Sequence, residues 1–109
     1  MVLSDREITE YVKSGQMIDP FIDHQISDGV ISYGLSSYGY DFRVGNKFKI
    51  FTNFGALIDP KNINLFALKD YCGDYCDIPP NAFVLAESIE YFRIPREMLA
   101  LCIGKSTYA

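Results

Sequence analysis

Apolar positions recur at helical spacing in only one part of the chain. Ile8, Tyr11 and Val12 follow Ser4-Asp5-Arg6-Glu7, a capping box in which the Ser4 side chain accepts from the Glu7 N–H while the Glu7 carboxylate reaches back to the cap. Gly15 can take the left-handed conformation that stops such an element, so the pattern predicts a short amphipathic helix from about Ser4 to Ser14. Its apolar stripe suits packing against the protein's own sheet better than docking of a separate partner. Past Gly15 the period shortens towards two. Tyr40 to Val44, Lys47 to Thr52, Ala82 to Glu87, Ser88 to Arg93 and Met98 to Ile103 are rich in β-branched and aromatic residues and read as strands. Asp19-Pro20, Asp28-Gly29, Gly45-Asn46, Asp59-Pro60, Pro79-Pro80-Asn81 and Ile94-Pro95 mark the breaks. Lys47-Phe48-Lys49-Ile50-Phe51 alternates as a strand with one wet face should, whereas Met98-Leu99-Ala100-Leu101-Cys102-Ile103 is almost continuously apolar, the mark of a strand buried on both faces. Nothing after that run covers it, so the pattern predicts a chain truncated at its C-terminus.

The expected fold is mainly β, a sandwich or barrel with one short N-terminal helix, formed as a single domain over residues 1–109. Eight Phe and eight Tyr, with no second helical pattern, favour it. Fourteen acidic against ten basic residues give a net charge of -4, which argues against a long nucleic acid as partner while leaving room for a single nucleotide at a local cluster. No stretch approaches the roughly 20 apolar residues of a membrane span, and the start of the chain lacks the basic and apolar segments of a secretory signal. The expected setting is the cytoplasm. Three cysteines are too few and of the wrong parity for a disulfide framework.

Candidate chemistry narrows quickly. Cys72, Cys76 and the single histidine, His24, do not form a zinc-binding pattern, and the His-x-Glu with Pro-Cys-x-x-Cys signature of zinc nucleobase deaminases is absent. Cys102 reads as core filler, His24 as a surface residue beside Asp23, and Glu87, Glu90 and Glu97 as surface charges. Gly104-Lys105-Ser106-Thr107 lacks the preceding glycine spacing of a P-loop, yet it offers a close-approach glycine, a cation and two hydroxyls at the end of a strand. That combination fits either a phosphate chain or an ordinary strand-end turn. Asp41 and Arg43, two residues apart in Tyr38-Gly39-Tyr40-Asp41-Phe42-Arg43-Val44-Gly45, are placed on one face of a strand, where they can pair with each other or across a sheet.

Taken in order, these segments resemble the dCTP deaminase family of the dUTPase-like superfamily. Leu3-Ser4-Asp5-Arg6-Glu7-Ile8 and Ile18-Asp19-Pro20 are similar to its opening helix and loop. Ser32 to Asn46 is similar to the segment around the superfamily's first motif, a Tyr-Asp pair, and Ile78-Pro79-Pro80 through Ile94-Pro95 to its connecting strands. Gly104-Lys105-Ser106-Thr107-Tyr108-Ala109 resembles the family's Gly-Arg/Lys-Ser-Ser/Thr-x-Ala-Arg nucleotide motif. The resemblance covers essentially the whole chain and implies a distorted jelly-roll or β-barrel.

The resemblance further implies deamination of dCTP to dUTP and ammonia, without zinc, with Mg2+ accompanying the triphosphate and dTTP as a possible inhibitor. It implies that Lys105, Ser106 and Thr107 contact the triphosphate and the active-site water network. Ser106 matches a catalytic serine, Tyr108 and Ala109 continue the nucleotide-binding segment, and Asp41 and Arg43 serve as structural support. The family's next motif residue, an arginine, and its catalytic glutamate fall after Ala109, so these 109 residues alone are expected not to turn over dCTP. The family's homotrimer has active sites at subunit interfaces. Two other functions fit the same residues: a dUTP diphosphatase, alone or combined with the deaminase, and a non-catalytic β-domain using the tyrosine-rich Ser32–Tyr40 loop to bind nucleotides or a protein.

Overall fold

A computed structural model describes residues 1–29, 31–51, 61 and 68–106. The elements run α1 (Asp5–Gly15), β1 (Ile18–Asp19), β2 (Gln25–Asp28), β3 (Ile31–Ser36), β4 (Gly39–Asp41), β5 (Val44–Phe51), β6 (Leu68–Cys72), β7 (Val84–Ser88) and β8 (Tyr91–Phe92). The fold is mainly β, as the patterning predicts. Its strands form three antiparallel sheets, of order β1-β8, β2-β3-β4 and β6-β5-β7, and no closed barrel arises among the described residues. The chain divides into two compact units, one of Met1–Arg43 with Ile89–Ala109 and the other of Val44–Ser88.

In the first unit, α1 begins where the capping box places it. Ser4 accepts from the Glu7 N–H at 3.4 Å, and Glu7 Oε2 accepts from the Ser4 N–H at 2.8 Å. Such a cap stabilises a helix by about 1 kcal/mol. The helix stops one residue later than expected. Gly15 stays helical and Gln16 takes the left-handed turn at φ 53°, while its N–H still bonds Val12 O at 2.8 Å. The inward stripe delivers Ile8 to a core with Met17, Ile18 and Leu35, flanked by Leu3, Tyr11, Val12, Phe21, Tyr40 and Met98. The Asp5 N–H donates to Ser37 O at 2.9 Å, which ties the start of the helix to the turn joining β3 and β4.

Ser32 to Tyr40 is a hairpin rather than a loop. Tyr33 and Leu35 alternate with Ser32, Gly34 and Ser36, and Leu35 pairs with Tyr40 and Ser36 with Gly39 across the two-residue turn Ser37-Tyr38. The wealth of Ser and Gly masks this two-residue period. Residues 20–24 lie against the hairpin: the Leu35 N–H donates to Ile22 O at 3.0 Å, and the Ile22 N–H donates to the Tyr40 hydroxyl at 3.2 Å. Gly34 makes the approach possible. Its φ is +99°, and a Cβ there would stand 2.2 Å from His24 O.

In the second unit, β5 is central and Ile50 is its buried residue. Gly45-Asn46 does not break the chain but lies inside β5. The pairing with β7 shifts register between Val44↔Ser88 and Phe48↔Ala86, so the turn-like residues occupy a bulge. Phe51 stacks on Phe83 at 4.1 Å between centroids, and Asn81 takes a left-handed φ of 57° in the Pro79-Pro80-Asn81 turn. Thr52 and Asp59-Pro60 lie outside the described residues.

Three expected strands change. Ser88 to Arg93 keeps only Tyr91–Phe92 as β8, because Ser88 closes β7 and Ile89-Glu90 lie between the two. Tyr40 to Val44 is interrupted, because β4 ends at Asp41 and β5 starts at Val44, leaving Phe42 and Arg43 between them. Met98 to Ile103 forms no strand. No described neighbour pairs with it, so Leu99, Leu101 and Ile103 remain over 80% exposed, and Cys102 is exposed rather than buried as core filler.

Gly34→Ala is expected to destabilise the protein by about 2–4 kcal/mol, since left-handed strain adds to the overlap with His24 O. Gly29→Ala has a comparable φ of +63° but open space around it, so the expected loss is only about 1–2 kcal/mol. Urea unfolding midpoints of the two variants check the difference.

Candidate functional site

The β2-β3-β4 sheet gathers one polar cluster. Ladder pairing sets Gln25 opposite Gly34 and Gly34 opposite Asp41, so Gln25 and Asp41 flank a position with no side chain. Ser32 stands two residues along β3 from that gap. Asp41 Oδ2 accepts from Gln25 Nε2 at 3.0 Å and from Ser32 Oγ at 3.1 Å. Gln25 Nε2 also donates to Tyr33 O at 3.2 Å. The cluster is completed from far along the chain by Lys105, whose ammonium donates to the same Asp41 oxygen and, at 2.9 Å, to Ser32 Oγ.

Burial by itself raises the Asp41 carboxyl's pKa. The hydrogen bonds from Lys105, Gln25 and Ser32, with the Lys105 charge, outweigh that and hold it below the ordinary value of 3.8. Asp41 is therefore an anion at neutral pH and Lys105 its counter-ion. An ammonium has three N–H donors, and two are spent on Asp41 and Ser32, so among the described residues one is left for an acceptor from outside. The Lys105 side chain is 42% exposed, enough to meet it.

Beside the cluster lies a second ion pair. The Glu90 side chain has no exposure, and Arg43 gives it two bonds: the Arg43 N–H donates to Oε2 at 3.0 Å and Arg43 Nε to Oε1 at 2.9 Å. The Arg43 guanidinium lies over the Tyr33 ring, 5.0 Å from its centroid. Next to Asp41, burial raises the pKa of the Tyr40 hydroxyl, and the charge of Glu90 adds to the rise.

Several expectations change here. Asp41 and Arg43 neither pair with each other nor share a strand face: β4 ends between them, and each finds a separate partner. Glu90 is buried, not a surface charge, with Arg43 bonded to both of its carboxylate oxygens; Glu87 and Glu97 are exposed as expected. Ser106 is exposed beside Lys105, and Thr107, Tyr108 and Ala109 lie outside the described residues. His24 is exposed and pairs with Asp23 at 2.8 Å, a contact that holds the Asp23 carboxyl below its ordinary value. Cys72 closes β6 and Cys76 follows in the adjoining loop. Sequence reasoning missed Gln25, Ser32 and Glu90. The alternation around Ser32 was a usable signal, whereas nothing local sets Glu90 apart from its acidic neighbours.

The dCTP deaminase-like family profile matches residues 2–109. The chain belongs to the dCTP deaminase-like family. Its relatives include the dCTP deaminase of Wolinella succinogenes, 57% identical over 106 residues that are 96% of this chain and 57% of the relative. The dCTP deaminase of Wolbachia pipientis wMel is 58% identical over 109 residues, 99% of this chain and 59% of the relative. That of Campylobacter fetus subsp. fetus is 55% identical over 107 residues, 97% of this chain and 58% of the relative. The chain thus spans less than two thirds of the length of the curated relatives it matches. No helix among the described residues is long and apolar enough to cross a membrane.

Two outcomes test the electrostatics. Removing the Arg43 side chain takes the guanidinium from a fully buried carboxylate and leaves the main-chain N–H bond, whereas removing Glu90 leaves a guanidinium with 29% exposure that water can reach. Arg43→Ala is therefore expected to cost about 3–5 kcal/mol in urea unfolding and Glu90→Ala less. Asp41 has a folded-state pKa below its unfolded value, so its contribution is present above the unfolded value and lost as pH falls through the folded one. The stability gap between the native chain and Asp41→Asn should be widest near neutrality and close as pH falls below 3.8.

Proposed function

We propose that this chain forms part of a dCTP deaminase, which hydrolyses dCTP to dUTP and ammonia in pyrimidine deoxynucleotide synthesis in the cytoplasm. Residues 1–109 are read as one dCTP deaminase-like domain, a reading supported by a family match that runs through both compact units. The observation that carries the proposal is the contact between Lys105 and Asp41. The two segments that resemble the family's first motif and its nucleotide motif meet in one hydrogen-bonded cluster, and the relatives aligned across the chain are dCTP deaminases.

In this reading Lys105, Ser106 and Thr107 bind the triphosphate, and Tyr108 and Ala109 continue that surface. Lys105 presents its remaining N–H to a phosphate oxygen, while Asp41, Ser32 and Gln25 keep its ammonium in place. Ser106 joins the hydrogen-bonding network around the reacting water. Deamination requires water to add at C4 of cytosine, a base to take its proton, and donors to stabilise the tetrahedral intermediate until ammonia leaves. None of the described glutamates after β6 is assigned as that base: Glu87 and Glu97 are exposed, and Glu90 is bound to Arg43.

The proposal includes Mg2+ bound to the triphosphate and no zinc. Asp41 Oδ2 already accepts three donors, and the described residues group no three His, Cys, Asp or Glu that could hold an ion. The described side chains therefore do not fit a dedicated Mg2+ cage, and no step is routed through the ion. The enzyme is proposed to work as a homotrimer, with dTTP as an inhibitor.

The test is a chimera in which this chain replaces the matching segment of the Wolinella succinogenes dCTP deaminase. It is expected to release ammonia from dCTP. In the same background Lys105→Ala should raise KM for dCTP by roughly 10- to 100-fold, the loss of a charge-assisted hydrogen bond, with a smaller effect on kcat. A folded chimera that releases pyrophosphate instead of ammonia, or neither, would overturn the reading.

A further inference from the structure

Glu90 has no place in the chemistry proposed above, yet it is the one charged residue that the described structure buries, at 3% exposure. It grips Arg43 at two points. One carboxylate oxygen takes the main-chain N–H and the other takes Nε, while the preceding residue's N–H, that of Ile89, donates to Arg43 O at 2.9 Å. Arg43 is thus held at its backbone on both sides and at its side chain, all by two consecutive residues. It lies two residues from Asp41, across the point where β4 has ended and no ladder bond fixes the chain.

A second connection reaches the same place. The Arg43 guanidinium covers the Tyr33 ring, the Tyr33 carbonyl accepts from Gln25, and Gln25 donates to Asp41. Both routes, one along the backbone and one through side chains, end on the carboxylate that holds Lys105.

We propose that Glu90 is a positioning residue for the nucleotide site: by gripping Arg43 it fixes the end of β4, and with it the Asp41 carboxylate that holds Lys105. The link to phosphate binding rests on the reading of Lys105 given above; the link to Asp41 does not. Glu90 acts through Arg43 and needs no contact with substrate.

The discriminating measurement is the titration of Asp41 in the 109-residue chain, followed by carboxyl 13C NMR. Asp41 faces Lys105, Gln25 and Ser32, with Tyr40, Arg43 and Glu90 close by. Glu90→Gln removes a negative charge, which by Coulomb's law alone would leave the Asp41 pKa unchanged or lower it. If Glu90 positions Asp41, the contacts with Lys105, Gln25 and Ser32 loosen and the pKa rises towards its ordinary value. The opposite signs separate positioning from a purely structural or electrostatic role. Arg43→Lys keeps both charges and the main-chain bond, and should give a smaller rise; it decides the matter should Glu90→Gln not fold. An Asp41 pKa that stays put or falls in the folded variants overturns the proposal.

Binding of dCTP gives the second readout. Glu90→Gln should weaken it on the order of threefold or more, and the effect should vanish in a Lys105→Ala background, as expected of residues acting through one group. An equal loss in both backgrounds also overturns the proposal. Should Lys105→Ala leave dCTP binding intact, the nucleotide reading fails, and the Asp41 titration still decides the role of Glu90.

Discussion

A carboxylate withdrawn from water must receive donors in exchange, and Arg43 supplies two of them to Glu90. The pair joins positions 47 residues apart, on either side of the excursion that forms the second compact unit. That excursion opens and closes on the Val44↔Ser88 pair. The buried ion pair thus lies within the first compact unit, where the chain leaves it after Arg43 and re-enters it at Ile89. The energetic asymmetry matters: the carboxylate is fully buried and the guanidinium only partly so, which makes Arg43 the partner that the fold can least do without.

The polar cluster around Asp41 depends on this frame and on a missing side chain. Gln25 and Asp41 can reach towards each other because Gly34 lies between them on the ladder, and the same glycine admits the backbone of residues 20–24. Three donors converge on one oxygen, which keeps the carboxylate ionised and gives Lys105 a fixed counter-charge. A lysine so held loses little freedom when it meets an anion, whereas an unrestrained side chain would have to be ordered first.

The parts that sequence reading recovered are those governed by near neighbours. The capping box at Ser4 and Glu7, the stripe through Ile8 and the alternation in Lys47 to Phe51 follow from interactions within a few residues, and each is present in the structure. Turn chemistry was less faithful. Gly45-Asn46 looks like a break and is a bulge, since pairing with β7 carries β5 through it. The Ser- and Gly-rich stretch from Ser32 to Tyr40 hides a hairpin because small residues on its polar side dilute the aromatic alternation. Met98 to Ile103 has the composition of a buried strand, but composition supplies no neighbour to pair with, and the segment stays exposed.

By itself, then, the sequence determined a mainly β chain with a capped helix, the family to which its motifs belong, and Asp41 and Lys105 as residues of interest. Those are properties of local spacing and of residue identity. Which charge meets which was decided only by tertiary structure. Asp41 and Arg43 are near neighbours in the chain and invite pairing, yet a strand end separates them, and their partners arrive from 64 and 47 residues away. These two pairs form because folding brings distant groups together, which local spacing does not specify. Glu90 shows this most clearly: nothing around it in the sequence distinguishes it from an exposed acid until Arg43 bonds both of its carboxylate oxygens.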